Sequence, residues 1–155
     1  MYWTRFGVTS NGLMRAQMDG SNVAQLLGGL RTPSGITIDY DGSRIFWTEH
    51  WGDKISSSNL DGTDVRIIVT PKPCSSPWGI ALHKNRMYWS DWSYYTLQRS
   101  SKSGQDVRTL FTGTGYIQQV TTTSRNFPTS RQNHCEGQNC SSICILTTSS
   151  FRCVP

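Results

Sequence analysis

Side chains able to carry out covalent or metal chemistry are few and widely scattered in this 155-residue chain. Three histidines stand at His50, His83 and His134, and the carboxylates come singly rather than in the closely spaced sets that bind calcium. No combination of serine or cysteine with histidine and a carboxylate stands out as a nucleophilic centre. We therefore expect no catalytic residue, no metal site and no cofactor.

Cysteines are the second chemical feature, and four of the five crowd the C-terminal end, at Cys135, Cys140, Cys144 and Cys153. This density is typical of a disulfide-linked module in an oxidising compartment, which indicates an extracellular location. Zinc is the alternative, but zinc knuckles use two matched close pairs and the chain has no CxxC. The remaining thiol, Cys74, lies in a proline-rich run and is a candidate for a cross-link to another chain.

Charge and hydropathy argue against two kinds of partner. The net charge is +5, but lysines and arginines are spread almost evenly along the chain. No basic run follows the pattern of a phosphate backbone, so we expect no nucleic acid partner. No window of 18 apolar residues occurs, and we expect no direct insertion into a membrane.

An internal repeat carries these residues. Leu13, Ile55 and Leu97 are each 42 residues apart, and four further columns keep the same spacing. An aromatic pair followed by Thr or Ser also recurs, as Tyr2-Trp3-Thr4, Phe46-Trp47-Thr48 and Tyr88-Trp89-Ser90. Complete copies contain four short runs separated by turns, without the 3.6-residue period of a helix. The pattern predicts an all-β chain in which each copy is one four-stranded propeller blade.

The aromatic tetrads, the Asn-Leu-Asp-Gly-Thr turn at 59–63 and the Pro-x-Gly-Ile strand openings resemble the YWTD repeat of the low-density lipoprotein receptor family. The cysteine-containing tail resembles the segment that leaves the last blade of such a propeller and enters an EGF-like module. The resemblance thus implies propeller blades over residues 1–125. Residues 126–155 would form an exit segment and a truncated EGF-like module.

In that family the aromatic pairs form the core and pack between blades. The resemblance assigns this structural role to Tyr2, Trp3, Phe46, Trp47, Tyr88 and Trp89. The fourth tetrad position is an Asp that bridges neighbouring blades, and here it is occupied by Arg5, Glu49 and Asp91. Only Asp91 keeps the family residue. We expect a weaker bridging network around the first copy, because a basic side chain cannot accept hydrogen bonds.

By the same resemblance, the loops at the blade openings and after the tetrads cluster at the mouth of the channel, where the family engages its partners. The candidate ligand-binding residues are Trp78, Trp51, Trp92, Thr32, Ser34 and Ser76. Trp78, rimmed by Ser and Pro, is expected to be an exposed anchor for a partner. The alternative is that the three tryptophans merely cap the core. His134 is placed for the acid-triggered release that family propellers use, or is an ordinary surface histidine.

The tail departs from the EGF-like pattern, which has six cysteines. The family pairing implies disulfides from Cys135 to Cys144 and from Cys140 to Cys153, with the last disulfide absent. No acidic residue precedes Cys135, so a calcium-binding version is not expected. Asn139 lies in an Asn-Cys-Ser sequon, which is a weak glycosylation site.

Counting the predicted strands gives half a ring. The first copy contributes three, the next two contribute four each, and a run near Ile117 to Thr122 contributes one. These twelve are half of the six four-stranded blades that the resemblance implies, and an open arc leaves an unpaired strand edge. Either the chain is part of a longer protein or two copies form a homodimer. In the homodimer, the Ile117 strand of one copy completes the blade that starts at Tyr2 of the other.

The sequence therefore predicts an extracellular, non-enzymatic module that binds protein ligands. It would act in receptor-mediated uptake or signalling, or as a secreted or matrix-associated scaffold. The alternative is a calcium-dependent hydrolase of the six-bladed lactonase type, whose site needs Asn, Asp, Glu and His converging on a central ion.

Overall fold

The computed structural model describes residues 1–7, 10–72 and 74–122, together with the backbone of two short strands near the C-terminus. Eleven strands in the first three ranges form three antiparallel sheets, which we call blades 1 to 3. Blade 1 contains β1 (Tyr2–Arg5), β2 (Gly12–Arg15) and β3 (Ala24–Gly28). Blade 1 thus has three strands, as predicted for the first copy.

The next two blades have four strands each. Blade 2 contains β4 (Pro33–Asp39), β5 (Arg44–Glu49), β6 (Lys54–Asn59) and β7 (Arg66–Val69), with a short 3-10 helix at His50–Gly52. Blade 3 contains β8 (Pro77–His83), β9 (Arg86–Asp91), β10 (Thr96–Ser101) and β11 (Arg108–Thr112). Consecutive strands are neighbours in each sheet, so every blade is a simple meander. The predicted all-β blade architecture is confirmed.

The sequence repeat is also a repeat of backbone geometry. The pairing register shifts immediately after Leu13, Ile55 and Leu97, so all three blades carry a bulge at the same place. The turns that follow contain Gly62 and Gly104 at φ values of 87° and 81°, a conformation that glycine adopts without steric cost. Residues recur every 42 positions because each copy needs the same bulge and the same turn.

Two apolar cores lie between the blades. Phe46 belongs to the core between blades 2 and 3, whereas its neighbour Trp47 belongs to the core between blades 1 and 2. Adjacent strand residues point to opposite faces of a sheet, so each aromatic pair serves two boundaries. Trp47 and Trp89 are fully buried. An ion pair between Lys102 and Asp39, 2.7 Å long, joins blades 2 and 3 near the end opposite the tetrad loops.

Residues 117–122 differ from the sequence prediction. The segment forms no strand pairing, so the prediction of a twelfth strand is wrong. It lies against blade 3 instead: Trp92 Nε1 donates to the carbonyl of Ile117 (3.1 Å) and Thr122 Oγ1 donates to the carbonyl of Leu82 (2.7 Å). A Cβ on Gly79 would lie 2.9 Å from the backbone of this segment. Residues 117–122 lie where the first strand of a further blade would begin. A segment is a strand only when it hydrogen-bonds to a partner strand, and the described residues provide none for it.

In the tail, β12 (Ile143–Leu146) and β13 (Phe151–Val154) form an antiparallel pair that places the backbones of Cys144 and Cys153 opposite each other. Cys135, Cys140, Asn139 and His134 lie outside the described residues. The disulfide pairing therefore stays a prediction. Among the described residues, no helix has the length and hydropathy of a membrane span.

Candidate protein-binding face

The third tetrad position, which the sequence analysis passed over, joins the blades by hydrogen bonds. Thr4 Oγ1 donates to the carbonyl of Ser34 (2.9 Å), and Thr48 Oγ1 donates to the carbonyl of Trp78 (2.7 Å). Both carbonyls belong to the blade that follows. The recurrence of Thr or Ser after every aromatic pair was the signal that could have revealed this role.

Carboxylates at the fourth position hold the linkers between blades. Asp91 accepts hydrogen bonds from the backbone N–H groups of Ser75 (2.8 Å), Ser93 (3.1 Å) and Tyr94 (3.3 Å). Burial raises the pKa of Asp91, and these three hydrogen bonds oppose that shift. One carboxylate thus binds both the linker that enters blade 3 and the loop that follows β9.

The same position differs in the other two blades. Glu49 accepts from the backbone N–H of Arg31 (2.9 Å) and, because its side chain is longer than Asp, also from Trp47 Nε1 (3.2 Å). Arg5 instead donates to Gln25 within its own blade. Since Arg5 cannot accept a hydrogen bond, the first copy lacks the carboxylate bridge that the other two possess.

Six side-chain rings lie close together near the loops that follow the tetrads. We call this group the loop-face cluster: His50, Trp51, Trp78, Trp92, Tyr95 and Tyr116. Trp78 and Trp92 stack with ring centroids 3.9 Å apart and planes at 13°. His50 stands edge-on to both, at 5.2 Å from Trp78 and 5.4 Å from Trp92. Tyr116 packs on Trp92 at 4.8 Å and continues to Tyr95 at 5.2 Å. Aromatic pairs of this geometry stabilise each other beyond the area they bury.

The three tryptophans predicted from the sequence therefore lie together but differ in exposure. Trp51 is 68% exposed, which leaves most of its ring available to a partner. Trp78 is half-buried in the stack, so the prediction of a freely exposed ring is wrong for this residue. Trp92 is also half-buried, and its backbone N–H donates to the carbonyl of Ser76 (3.0 Å).

The smaller candidates mainly position this cluster. Thr32 is buried, and its carbonyl accepts from the backbone N–H of His50 (2.9 Å), a position that supports the loop; its role as a ligand contact stays a prediction. Ser34 is half-buried and supplies the carbonyl that binds Thr4. Ser76 Oγ accepts from Ser93 Oγ (2.9 Å) and lines an open cleft beside Trp92. This cleft, of about 240 Å³, is lined by His50, Ser76, Trp92, Ser93, Tyr95 and Tyr116.

Cys74 lies in the core between blades 2 and 3 with no exposed surface, and it is a free thiol. Burial raises its pKa, so the reactive thiolate is disfavoured. This position argues against an intermolecular disulfide, because the sulfur is reachable only if the two blades separate.

An enzyme-type metal centre would need several ligands in one place. Within the described residues, no three His, Cys, Asp or Glu side chains lie close enough together to bind a metal ion. A cavity of about 310 Å³ lies between β4, β8 and residues 117–122, and its lining contains no carboxylate and no histidine. Its lining atoms are mainly those of glycine, serine, glutamine and apolar side chains.

Comparison with known proteins agrees with the repeat. Residues 43–83 and 85–118 match the low-density lipoprotein receptor repeat class B. The chain is 32% identical over 148 residues to the vitellogenin receptor of Solenopsis invicta, covering 94% of this chain and 8% of that receptor. It is 30% identical over 148 residues to low-density lipoprotein receptor-related protein 5 of Mus musculus, covering 91% of this chain and 9% of that protein. The chain thus spans less than a tenth of the length of these curated relatives.

Two solved structures share the fold. A chain in the crystal structure of a nidogen/laminin complex matches with a TM-score of 0.65 at 27% identity, over 70% of this chain and 43% of that chain. A gluconolactonase from Xanthomonas campestris matches with a TM-score of 0.60 at 18% identity, over 72% of this chain and 38% of that one. The second similarity concerns the fold alone. Repeats, blades and relatives thus agree that this chain contains low-density lipoprotein receptor class B repeats, over residues 43–83 and 85–118.

Proposed function

We propose that this chain is an extracellular, non-enzymatic module that binds protein ligands through the loop-face cluster. The observation that carries the proposal is the exposed Trp51 next to His50, whose ring stands edge-on to the stacked rings of Trp78 and Trp92. Large aromatic rings held rigidly at a surface lose little conformational entropy on binding, and they dominate the energetics of protein interfaces. The receptor-type relatives support the same conclusion.

The partner can be tested with a laminin fragment, because a chain from a nidogen/laminin complex shares this fold at 27% identity. Binding of the fragment to the immobilised chain would be measured by surface plasmon resonance. We expect Trp51→Ala to weaken the affinity by about tenfold or more, as for an interface hot spot. Tyr40→Ala is the matched control, since Tyr40 is 65% exposed on the turn at the opposite end of blade 2.

The two variants separate the outcomes. An affinity unchanged by Trp51→Ala would refute the loop face as the binding surface, as would equal losses in both variants. Failure of the wild-type chain to bind would refute a laminin-type partner. Calcium-dependent esterase activity abolished by chelation would favour the lactonase alternative instead.

The outer face of blade 3 supports a further proposal, that three more blades complete the ring. Val69 of blade 2 is 4% exposed because blade 3 covers it, whereas the matching residue of blade 3, Phe111, is 55% exposed. Leu110 beside it is 48% exposed. These residues occupy the positions that the next blade would cover.

A second copy of this chain or further blades of a longer protein would both supply the missing half. Sedimentation at micromolar concentration distinguishes the two sources. A homodimer would have a mass of 2 × 17.4 = 34.8 kDa, whereas a monomer of 17.4 kDa would rule out self-pairing at that concentration.

A further inference from the structure

The strand β1 (Tyr2–Arg5) is an open edge of blade 1. It pairs only with β2, whereas the matching strands β5 and β9 pair on both sides. All four residues of β1 are half-buried, although residues 46–49 at the matching positions of β5 are buried. The strand that covers β5 in blade 2 has no counterpart among the described residues of blade 1. An unpaired edge of this kind is a place where an extended segment can add a strand.

The hydroxyl of Thr4 lacks one hydrogen bond that its counterparts make. Thr48 Oγ1 accepts from the backbone N–H of Gly35, at 2.8 Å. Ser90 Oγ accepts in the same way from the backbone N–H of Gly79, at 2.9 Å. Among the described residues, no group donates to Thr4 Oγ1. This hydroxyl therefore has an unused acceptor where blades 2 and 3 place the N–H of a glycine.

The residue that donates to this hydroxyl must be a glycine. A Cβ on Gly35 would lie 2.4 Å from the carbonyl oxygen of Trp78, which is the oxygen that accepts from Thr48. Thr4 donates in the same way to the carbonyl oxygen of Ser34, at 2.9 Å. The equivalent residue of a strand added to β1 would therefore face the oxygen of Ser34. Any Cβ at that position would clash with the backbone of blade 2.

Residues 117–122 of a second copy do not meet this requirement. A Cβ on Gly35 would meet the backbone on both sides of Gly79. A Cβ on Gly79 would in turn meet Gln119 and the backbone of its two neighbours. Gln119 is thus the counterpart of both glycines. If this segment were added to β1 of another copy, the Cβ of Gln119 would be directed at the carbonyl of Ser34.

We propose that the edge of β1 binds an extended segment with a glycine beside Thr4, supplied by polypeptide outside these 155 residues. The segment runs antiparallel to β1, as β4 runs antiparallel to β5. Its glycine N–H donates to Thr4 Oγ1, and its flanking backbone groups pair with those of β1. The inference rests on the proposed completion of the ring and is independent of ligand binding at the loop-face cluster.

Labelled peptides test the site by fluorescence anisotropy with the whole chain. One peptide has the sequence of residues 31–38, which contains the glycine of β4, and the other has the sequence of residues 115–122. We expect saturable binding of the first, about tenfold or more weakened by Gly35→Ala in the peptide. The second should bind about tenfold or more weakly than the first, and Gln119→Gly in that peptide should restore binding. The protein is the same in all four measurements, so no difference among them reflects misfolding.

Hydrogen exchange and one pair of protein variants locate the site. The 31–38 peptide should slow exchange at the amides of β1, and Thr4→Val should weaken its binding, whereas Thr63→Val, at an exposed turn, should not. The proposal would be overturned by no binding of the 31–38 peptide, by equal binding of its alanine variant, or by equal binding of the 115–122 peptide. Protection outside β1 would also overturn it. A chain that binds the laminin fragment but not the 31–38 peptide would refute the edge site alone.

Discussion

Thr48→Val removes a hydroxyl that holds blades 2 and 3 together without changing the shape of the side chain. Thr48 is fully buried, and its Oγ1 donates to the carbonyl of Trp78 (2.7 Å) while accepting from the backbone N–H of Gly35 (2.8 Å). Strand pairing is interrupted at both places, between Pro33 and Ile36 and between Pro77 and Ile80. The Thr48 hydroxyl therefore satisfies two backbone groups, the Gly35 N–H and the Trp78 carbonyl, at places where strand pairing is interrupted.

The magnitude follows from those two groups. Each buried polar group left without a partner costs about 1–3 kcal/mol, and the methyl group that replaces the hydroxyl returns about 0.8 kcal/mol. We expect Thr48→Val to lower the free energy of unfolding by about 1–5 kcal/mol, which is the cost of two such groups less the gain from the methyl group. Hydrogen exchange at the amide of Gly35 should accelerate at the same time, since that N–H loses its acceptor.

The assay is equilibrium urea unfolding followed by tryptophan fluorescence. Thr63→Val is the matched control, because its hydroxyl also makes two side-chain hydrogen bonds, to Asp61 and Asn59, but at an exposed position where water replaces them. The control should change the free energy of unfolding by less than about 0.5 kcal/mol. A loss below that value in Thr48→Val, or equal losses in both variants, would refute the role given to the third tetrad position.

Three further predictions concern packing, thiol access and pH. Gly35→Ala should destabilise the chain by about 1–3 kcal/mol in the same urea assay, because its Cβ would lie 2.4 Å from the carbonyl oxygen of Trp78, whereas Gly115→Ala, in open space, should be neutral. Cys74 should resist N-ethylmaleimide at pH 8 in the native protein and react in urea, as mapped by mass spectrometry; native labelling would contradict its burial. Hydrogen bonds from Arg108 and Arg86 lower the pKa of Asp106, so its stabilising contribution is present above the unfolded pKa of about 4 and is lost on acidification through the folded pKa. Asp106→Asn should therefore flatten the acid limb of a stability–pH profile, and an unchanged limb would contradict this assignment.

Much of the fold could be predicted because the repeat is local. The column Leu13, Ile55 and Leu97 marks a bulge in every blade, and the glycines after it mark a turn whose backbone favours glycine. These features depend on neighbours within one copy, so spacing alone reveals them. The alternation of Phe46 and Trp47 between two faces follows from the same local geometry.

The spacing of residues in the sequence could not predict contacts between blades. The pairing of Thr48 with Trp78 and the stacking of Trp78 on Trp92 depend on how one blade sits against the next. Residues 117–122 show the same limit: their composition suits a strand, but a strand exists only where a partner completes its ladder.

The sequence by itself determined the all-β repeat, because the repeated residues recur at a fixed spacing from copy to copy. Only the tertiary structure decided that Trp51 is exposed while Trp78 is half-buried, that Cys74 is enclosed, and that Gln98 keeps an unpaired acceptor. Exposure and hydrogen-bond satisfaction depend on atoms from neighbouring blades. The order of residues in one copy does not contain that information.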